Sequence, residues 1–244
     1  LPSTFLLNKI MFSIADNLIN VRQRIKKAQI AANRGLAPVQ LLAVTKTRSA
    51  EDLMVAIQSG LSCFGENYVN EAVSKQETLK NLCTERAYQA LTWHFIGPVQ
   101  SNKTKIIAQN FDWVQSIDRE KIAQRLNDQR PNNLKPLNVC IQVNINHEES
   151  KSGLNIKEVQ ELAKLIHSLP NLKLRGLMTI PKAVQSPEEL EASFLEMEAL
   201  FKQLKALYPD VDTLSMGMSG DIEAAINNGS TMVRVGTALF GLRL

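Results

Sequence analysis

The feature that most restricts what this chain can fold into is a regular alternation of short apolar runs with amphipathic helical stretches, carried from Val39 to Gly241. "VQLLAVTK" leads into a helix expected from Ser49 to Gly60, with Ser49 and Asp52 at the spacing of a capping box. "SCFGE" precedes "NYVNEAVSKQETLK", "TWHFIG" precedes "SNKTKIIAQN", and "DWVQS" precedes "DREKIAQRLND". "LNVCIQVNIN" leads to a helix capped by Asn155 with Glu158, and "KLRGLMTI" to one opening at Ser186-Pro187. "TLSMGM" is followed by a short helix expected from Ser219 to about Gly229, and "TMVRVGTALFG" closes the series. Ahead of it all, Ile14, Leu18, Val21, Ile25 and Ala28 recur at steps of three and four, the stripe of an additional helix.

About eight strand–helix units suffice to close a (β/α)8 barrel, and a length of 244 residues is the usual size of one. The strands are continuously apolar, as strands covered on both faces should be. An open doubly wound sheet is the alternative, but no Gly-x-Gly-x-x-Gly follows an early strand. The expectation is an α/β TIM barrel with an extra N-terminal helix, forming one domain over residues 11–244. Residues 1–10, "LPSTFLLNKI", read as an extension ahead of a natural start at Met11, and they lack the charged region and cleavage site of a signal peptide.

Composition excludes several classes of function. A formal charge of +4 is too small and dispersed for a nucleic-acid binder, and "RQRIKK" reads as the solvated face of a helix. No apolar stretch approaches the ~20 residues that cross a bilayer. Cys63, Cys83 and Cys140 are odd in number and far apart, which speaks for a reducing compartment and a cytoplasmic protein. His94, His147 and His167 have no metal-ligand spacing.

In such a barrel, chemistry sits where strands end and βα loops begin. Those positions hold Lys46, Gly65-Glu66-Asn67, His94, Gly97, Asn144, Asn146, Met178, Thr179, Met216 to Ser219 and Arg234 to Thr237. They include no carboxylate pair, no Ser–His–Asp set and no metal cluster, but they include one strand-terminal amine. On position alone, Lys46 reads equally as a snorkelling lysine on the barrel rim or as an imine-forming lysine. Arg234 on the last strand would lie beside the first once the barrel closes, and its charge would favour a neutral amine. Gly217 and Gly220 around Ser219, with Gly236 and Thr237 after the last strand, form the usual phosphate corner of these barrels. Amine and anion site together describe a pocket for an aldehyde carrying a phosphate, of which pyridoxal 5′-phosphate (PLP) is the common one.

"LLAVTK", "FGENYVNE", "WHFIGPVQSNK", "VQSID", "QVNINHEESKSG", "LRGLMTIP", "LSMGMSGD" and "MVRVGTALFG" resemble, in order, the motifs of the YggS/PROSC family of pyridoxal phosphate homeostasis proteins. The resemblance implies a barrel like the N-terminal domain of alanine racemase, the type III fold of PLP proteins. It implies PLP held as an imine on Lys46, with Ser219, Gly236 and Thr237 at the phosphate, Arg234 at the pyridine nitrogen, and Asn67, His94 and Met216 also binding the cofactor. Val99 and Pro98 depart from the family pattern without touching those positions. The implied function is intracellular PLP buffering and delivery without robust catalysis, with PLP-dependent apoenzymes as candidate recipients. A monomer is expected, and the composition leaves neither membrane nor nucleic acid as a partner. A PLP-dependent racemase is the main alternative and a Schiff-base aldolase a more distant one. Against the racemase stands the absence of a further β-rich domain that would supply a tyrosine base.

Overall fold

The computed structural model describes residues 4–35, 37–146, 148, 152–182 and 186–241, with side chains from Ile14 onward. His147 and Lys151, in the motif after the fifth strand, lie outside the described residues. Eight parallel strands close into a barrel in sequence order. They are β1 (Gln40–Val44), β2 (Cys63–Glu66), β3 (Thr92–Phe95), β4 (Trp113–Ile117), β5 (Leu137–Val143), β6 (Leu172–Thr179), β7 (Thr213–Ser215) and β8 (Met232–Val235). The expected barrel is thus the observed one. Closure pairs Leu42 of β1 with Arg234 of β8, which sets Arg234 beside the strand that leads to Lys46.

The helices are α1 (Thr4–Ala31), α2 (Ala50–Gln58), α3 (Val69–Leu82), α4 (Glu85–Gln89), α5 (Thr104–Asn110), α6 (Glu120–Gln129), α7 (Val159–Ser168), α8 (Pro187–Leu207), α9 (Ile222–Asn227) and α10 (Thr237–Phe240). The capping signals act as written in the sequence: Ser49 with Asp52 and Ser186 with Glu189 form complete capping boxes, each cap stabilising by roughly 1 kcal/mol. Asn155 with Glu158 caps a single 3-10 turn ahead of α7. None of these helices is long and apolar enough to cross a membrane. The short α4 and α10 have no counterpart in the expected pattern. Helix α1 is the additional helix; Ile14, Leu18, Val21, Ile25 and Ala28 are all buried. It begins at Thr4, so part of the segment read as an extension is helical.

Outward-facing strand residues such as Phe64, Phe95, Val139 and Val233 pack against the helices in one continuous core. Inside the barrel, Leu42, Cys63, Ile96 and Met232 form one apolar group and Trp113, Cys140 and Met178 another. Between β6 and β7 the backbones come so close that a Cβ at Gly176 would lie 1.8 Å from the Thr213 carbonyl oxygen, and Gly176 sits at φ 151°. Only glycine fits there.

Candidate functional site

Strand β1 ends at Val44, so Lys46 lies in the turn beyond it rather than on its last residue. That turn is held on both flanks of the lysine. On one side, Thr45 is fully buried, donates its hydroxyl to Glu66 Oε1 (2.7 Å), and gives its carbonyl to Lys75 Nζ (2.6 Å). On the other, Thr47 N–H donates to Glu71 Oε1 (2.6 Å). Lys75 ties the two sides together by bonding Glu66 Oε1 (2.8 Å) and Glu71 Oε1 (2.6 Å). Burial holds the Glu66 carboxyl above the usual carboxylate range, against the opposing pull of Lys75. The turn is strained: Thr47, a β-branched residue, sits at φ 63°, which costs on the order of 1–3 kcal/mol. This cluster was not anticipated from the sequence. Its one local signal is the i,i+4 pair Glu71–Lys75 on α3, which looks like an ordinary surface pair until Glu66 is brought beneath it.

The half-buried Lys46 opens on a cleft of about 260 Å³ lined also by Val44, Arg48, Met218, Ser219, Gly220, Arg234, Gly236 and Thr237. Five of the eight expected site residues therefore meet in one place: Lys46, Ser219, Arg234, Gly236 and Thr237. The corner expected to take a phosphate is arranged differently from the expectation in one respect. Helix α9 starts at Ile222 with Asp221 at its N-cap, so Ser219 does not cap it. Its hydroxyl instead accepts from Ala238 N–H (3.3 Å) in the first turn of α10. The turn at Ser219 is braced by α1: Arg24 donates to the Ser219 carbonyl (3.0 Å) and makes two 2.7 Å bonds to Glu223. "RQRIKK" is therefore more than a solvated face. Asn17 of α1 likewise donates to the Leu239 carbonyl (3.0 Å) beneath α10.

Arg234 has no carboxylate partner among the described ion pairs. Its Nη1 donates to the Ser215 carbonyl (2.7 Å) and hydroxyl (2.8 Å), and its Nη2 to the Thr179 carbonyl (2.7 Å). Burial lowers its pKa to about 10, against the opposing charge of Asp221. At that value the guanidinium stays charged at neutral pH. Of its five N–H groups, Nε–H and one on Nη2 carry none of these bonds, so they can serve an acceptor in the cleft.

The other three expected residues lie elsewhere. Met216 is fully buried in the main core and does not line the cleft. His94 is enclosed in the barrel, stacked on Trp113 with ring centroids 4.9 Å apart, and burial pushes its pKa down to about 3. Asn67 lines a separate cleft of about 270 Å³ with Ile96, Pro98, Gln142, Asn144, Ser152 and Ile180. Strand direction explains why these three do not line the cleft at Lys46. Sequence places a residue near a strand end, but only the closed barrel determines whether its side chain reaches the mouth, the interior or a neighbouring loop.

An amine, a guanidinium with unused donors, two hydroxyls and exposed backbone at a strand–helix corner suit a small anionic ligand with an electrophilic carbon. The architecture is that of the alanine racemase N-terminal domain, whose family profile matches residues 17–244. The chain is 52% identical to the pyridoxal phosphate homeostasis protein of Vibrio alginolyticus over 96% of this chain and 99% of that protein. It is 49% identical to the protein of the same name from Escherichia coli, over 96% and 98% of the respective lengths. The solved structure of PipY from Synechococcus elongatus with PLP bound superimposes with a TM-score of 0.77 at 33% identity, covering 93% of this chain and all of that one. The chain belongs to the family of pyridoxal phosphate homeostasis proteins. Alanine racemase of Corynebacterium glutamicum shares the fold at 17% identity, with a TM-score of 0.68 and 62% of its own length covered.

Proposed function

We propose that this protein binds PLP in the cleft at Lys46 and serves in holding and releasing it rather than in turning over amino acids. The observation that carries the reading is the meeting of Lys46, Arg234, Ser219, Gly236 and Thr237 around one small cleft. Its volume lies just below the ~300–1,000 Å³ common for ligand pockets, in keeping with a single small cofactor. PLP supplies an aldehyde with which a primary amine condenses, and Lys46 Nζ is the amine of this cleft.

Several of the lining residues then have a task. Ser219 and Thr237 offer hydroxyls, and the backbone of the α10 corner offers N–H groups, to a phosphate. Arg234, a donor that stays charged, binds a ring nitrogen only as an acceptor and so keeps a proton off it. A ring without that proton stabilises a neighbouring carbanion poorly, which suits a holder more than a catalyst. Proton transfer at a substrate carbon also needs a second titrating group. Among the described residues lining the cleft there is no carboxylate, imidazole or phenol. Tyr68 is 57% exposed and lines another cleft.

Borohydride reduction of PLP-loaded protein followed by peptide mapping tests the site. Label on Lys46, lost in Lys46→Ala, is the expected result, and label on Lys103 or Lys151 would overturn it. Racemisation of added amino acids at steady turnover, abolished by Lys46→Ala, would replace the holding role with an enzymatic one.

A further inference from the structure

A line of polar side chains runs through the interior of the barrel, from the cleft to the opposite end, with Arg175 set over Trp113 nearby at 4.6 Å. Arg234 Nη1 donates to Ser215 Oγ (2.8 Å), and Ser215 Oγ donates to Gln115 Oε1 (2.7 Å). Gln115 Nε2 meets His94 Nδ1 at 2.9 Å, and His94 Nε2 meets Cys63 Sγ at 3.2 Å. Gln40 Nε2 closes the line by donating to the same sulfur (3.2 Å). Ser215, Gln115 and His94 are fully or almost fully buried, and none of them lines the cleft at Lys46.

The direction of every bond follows from its first member. A guanidinium can only donate, so Ser215 Oγ accepts from it and must pass its own hydrogen onward. Gln115 therefore turns its carbonyl to Ser215 and its NH2 toward two acceptors, His94 Nδ1 and Met232 Sδ (3.1 Å). His94 must then be neutral, with its hydrogen on Nε2, donating to Cys63. An imidazolium would set its Nδ1–H against an N–H of the Gln115 amide. Burial of His94 agrees with that requirement. Five residues on five strands thus have one mutually consistent arrangement, and it ends on the guanidinium that faces the cleft.

We propose that His94, Gln115 and Ser215 are positioning residues that fix the orientation of the Arg234 guanidinium and thereby the pair of N–H groups it presents to the cleft. This inference rests on the PLP reading for its functional consequence, but the positioning itself is a property of the chain. It also gives His94 a role through Gln115 and Ser215 in place of the direct contact expected from sequence.

The experiment compares His94→Leu with His94→Gln, both of which lose the stack on Trp113. A glutamine at position 94 can accept from Gln115 through Oε1 and donate to Cys63 through Nε2, whereas leucine can do neither. Expected for His94→Leu are PLP binding weakened about tenfold, the loss of roughly one charge-assisted bond, and a displaced pH midpoint of the bound-PLP absorption band. His94→Gln should restore both to within about threefold of the parent. Ser215→Ala, which removes one oxygen and spares packing, should reproduce the leucine phenotype and keeps the test alive if His94→Leu does not fold. Equal behaviour of the two His94 variants, or parental behaviour of Ser215→Ala, would overturn the proposal. Rotation of the Arg234 guanidinium in cofactor-free protein, followed by 15N NMR, separates the two readings. Slow rotation in the parent and His94→Gln with fast rotation in Ser215→Ala upholds positioning even if borohydride never labels Lys46. Equally fast rotation in all of them refutes positioning even if Lys46 is labelled.

Discussion

Thr47 offers a direct test of how the turn carrying Lys46 is held. Its φ of 63° lies in the left-handed region, its side chain is exposed, and its N–H bond to Glu71 (2.6 Å) is a backbone bond that survives substitution. A side chain with a Cβ pays about 1–2 kcal/mol to stay there, and glycine removes that cost. Glycine also frees the unfolded chain, which returns about 0.5–1 kcal/mol of the gain. Thr47→Gly should therefore be more stable by about 0.5–1 kcal/mol. At roughly 2–4 °C per kcal/mol for a chain of this size, Tm should rise by roughly 1–4 °C. Thr47→Asn should gain in the same direction, since asparagine tolerates this region, whereas Thr47→Val keeps the branching and should gain nothing. Urea and thermal unfolding of the cofactor-free proteins measure the difference. PLP affinity of Thr47→Gly should fall even as stability rises, because freedom at residue 47 is freedom beside Lys46. A Thr47→Gly protein no more stable than Thr47→Val would refute the claim that the lysine sits on a strained turn clamped from α3.

Three further outcomes are expected. Lys75→Met removes the cation shared by Glu66 and Glu71 and should cost about 3–5 kcal/mol near neutral pH. Because Glu66 is already held above the ordinary carboxylate range, its folded form takes up a proton in acid, so the deficit should shrink as pH falls and grow as pH rises; a deficit independent of pH in urea titrations speaks against the cluster. His94, at about 3 in the fold against 6.5 ordinarily, binds its proton only on unfolding over that window. Stability should therefore fall as pH drops below about 6.5, by up to roughly 4–5 kcal/mol on reaching 3, and His94→Gln should flatten that slope; an unchanged slope would place the acid sensitivity elsewhere. Pyridoxal without its phosphate should bind at least tenfold more weakly than PLP, since each charge-assisted bond contributes roughly 1.5–3 kcal/mol; equal affinities by fluorescence titration would remove the phosphate from the α10 corner.

The order of elements was legible in the sequence because helix caps, apolar runs and the 3.6-residue stripe of α1 are local properties. Ser49 with Asp52 and Ser186 with Glu189 signal helix starts through bonds spanning three residues, and the structure forms both. Eight such units leave few ways to close a sheet, so the barrel follows from their number. Lys46, Ser219, Arg234, Gly236 and Thr237 could be named as a group because that fold gathers the loops after its strands on one face. What the sequence by itself could not determine was which way each side chain turns and what lies beneath it. Glu66 and Lys75 become a clamp on the Lys46 turn only when β2 runs beside β1 and α3 brings Lys75 to both Thr45 and Glu66. Arg24 reaches Ser219 across 195 residues of chain. Gln115 and Ser215, 100 residues apart, meet only inside the closed barrel. His94 and Met216 stand near strand ends in sequence yet are buried, because pleating alternates faces: His94 turns into the closed barrel and Met216 into the core shared with the helices. Propensity and capping act over a few residues, whereas burial and hydrogen-bond partnership depend on which distant strand becomes the neighbour, and only the tertiary structure decides that.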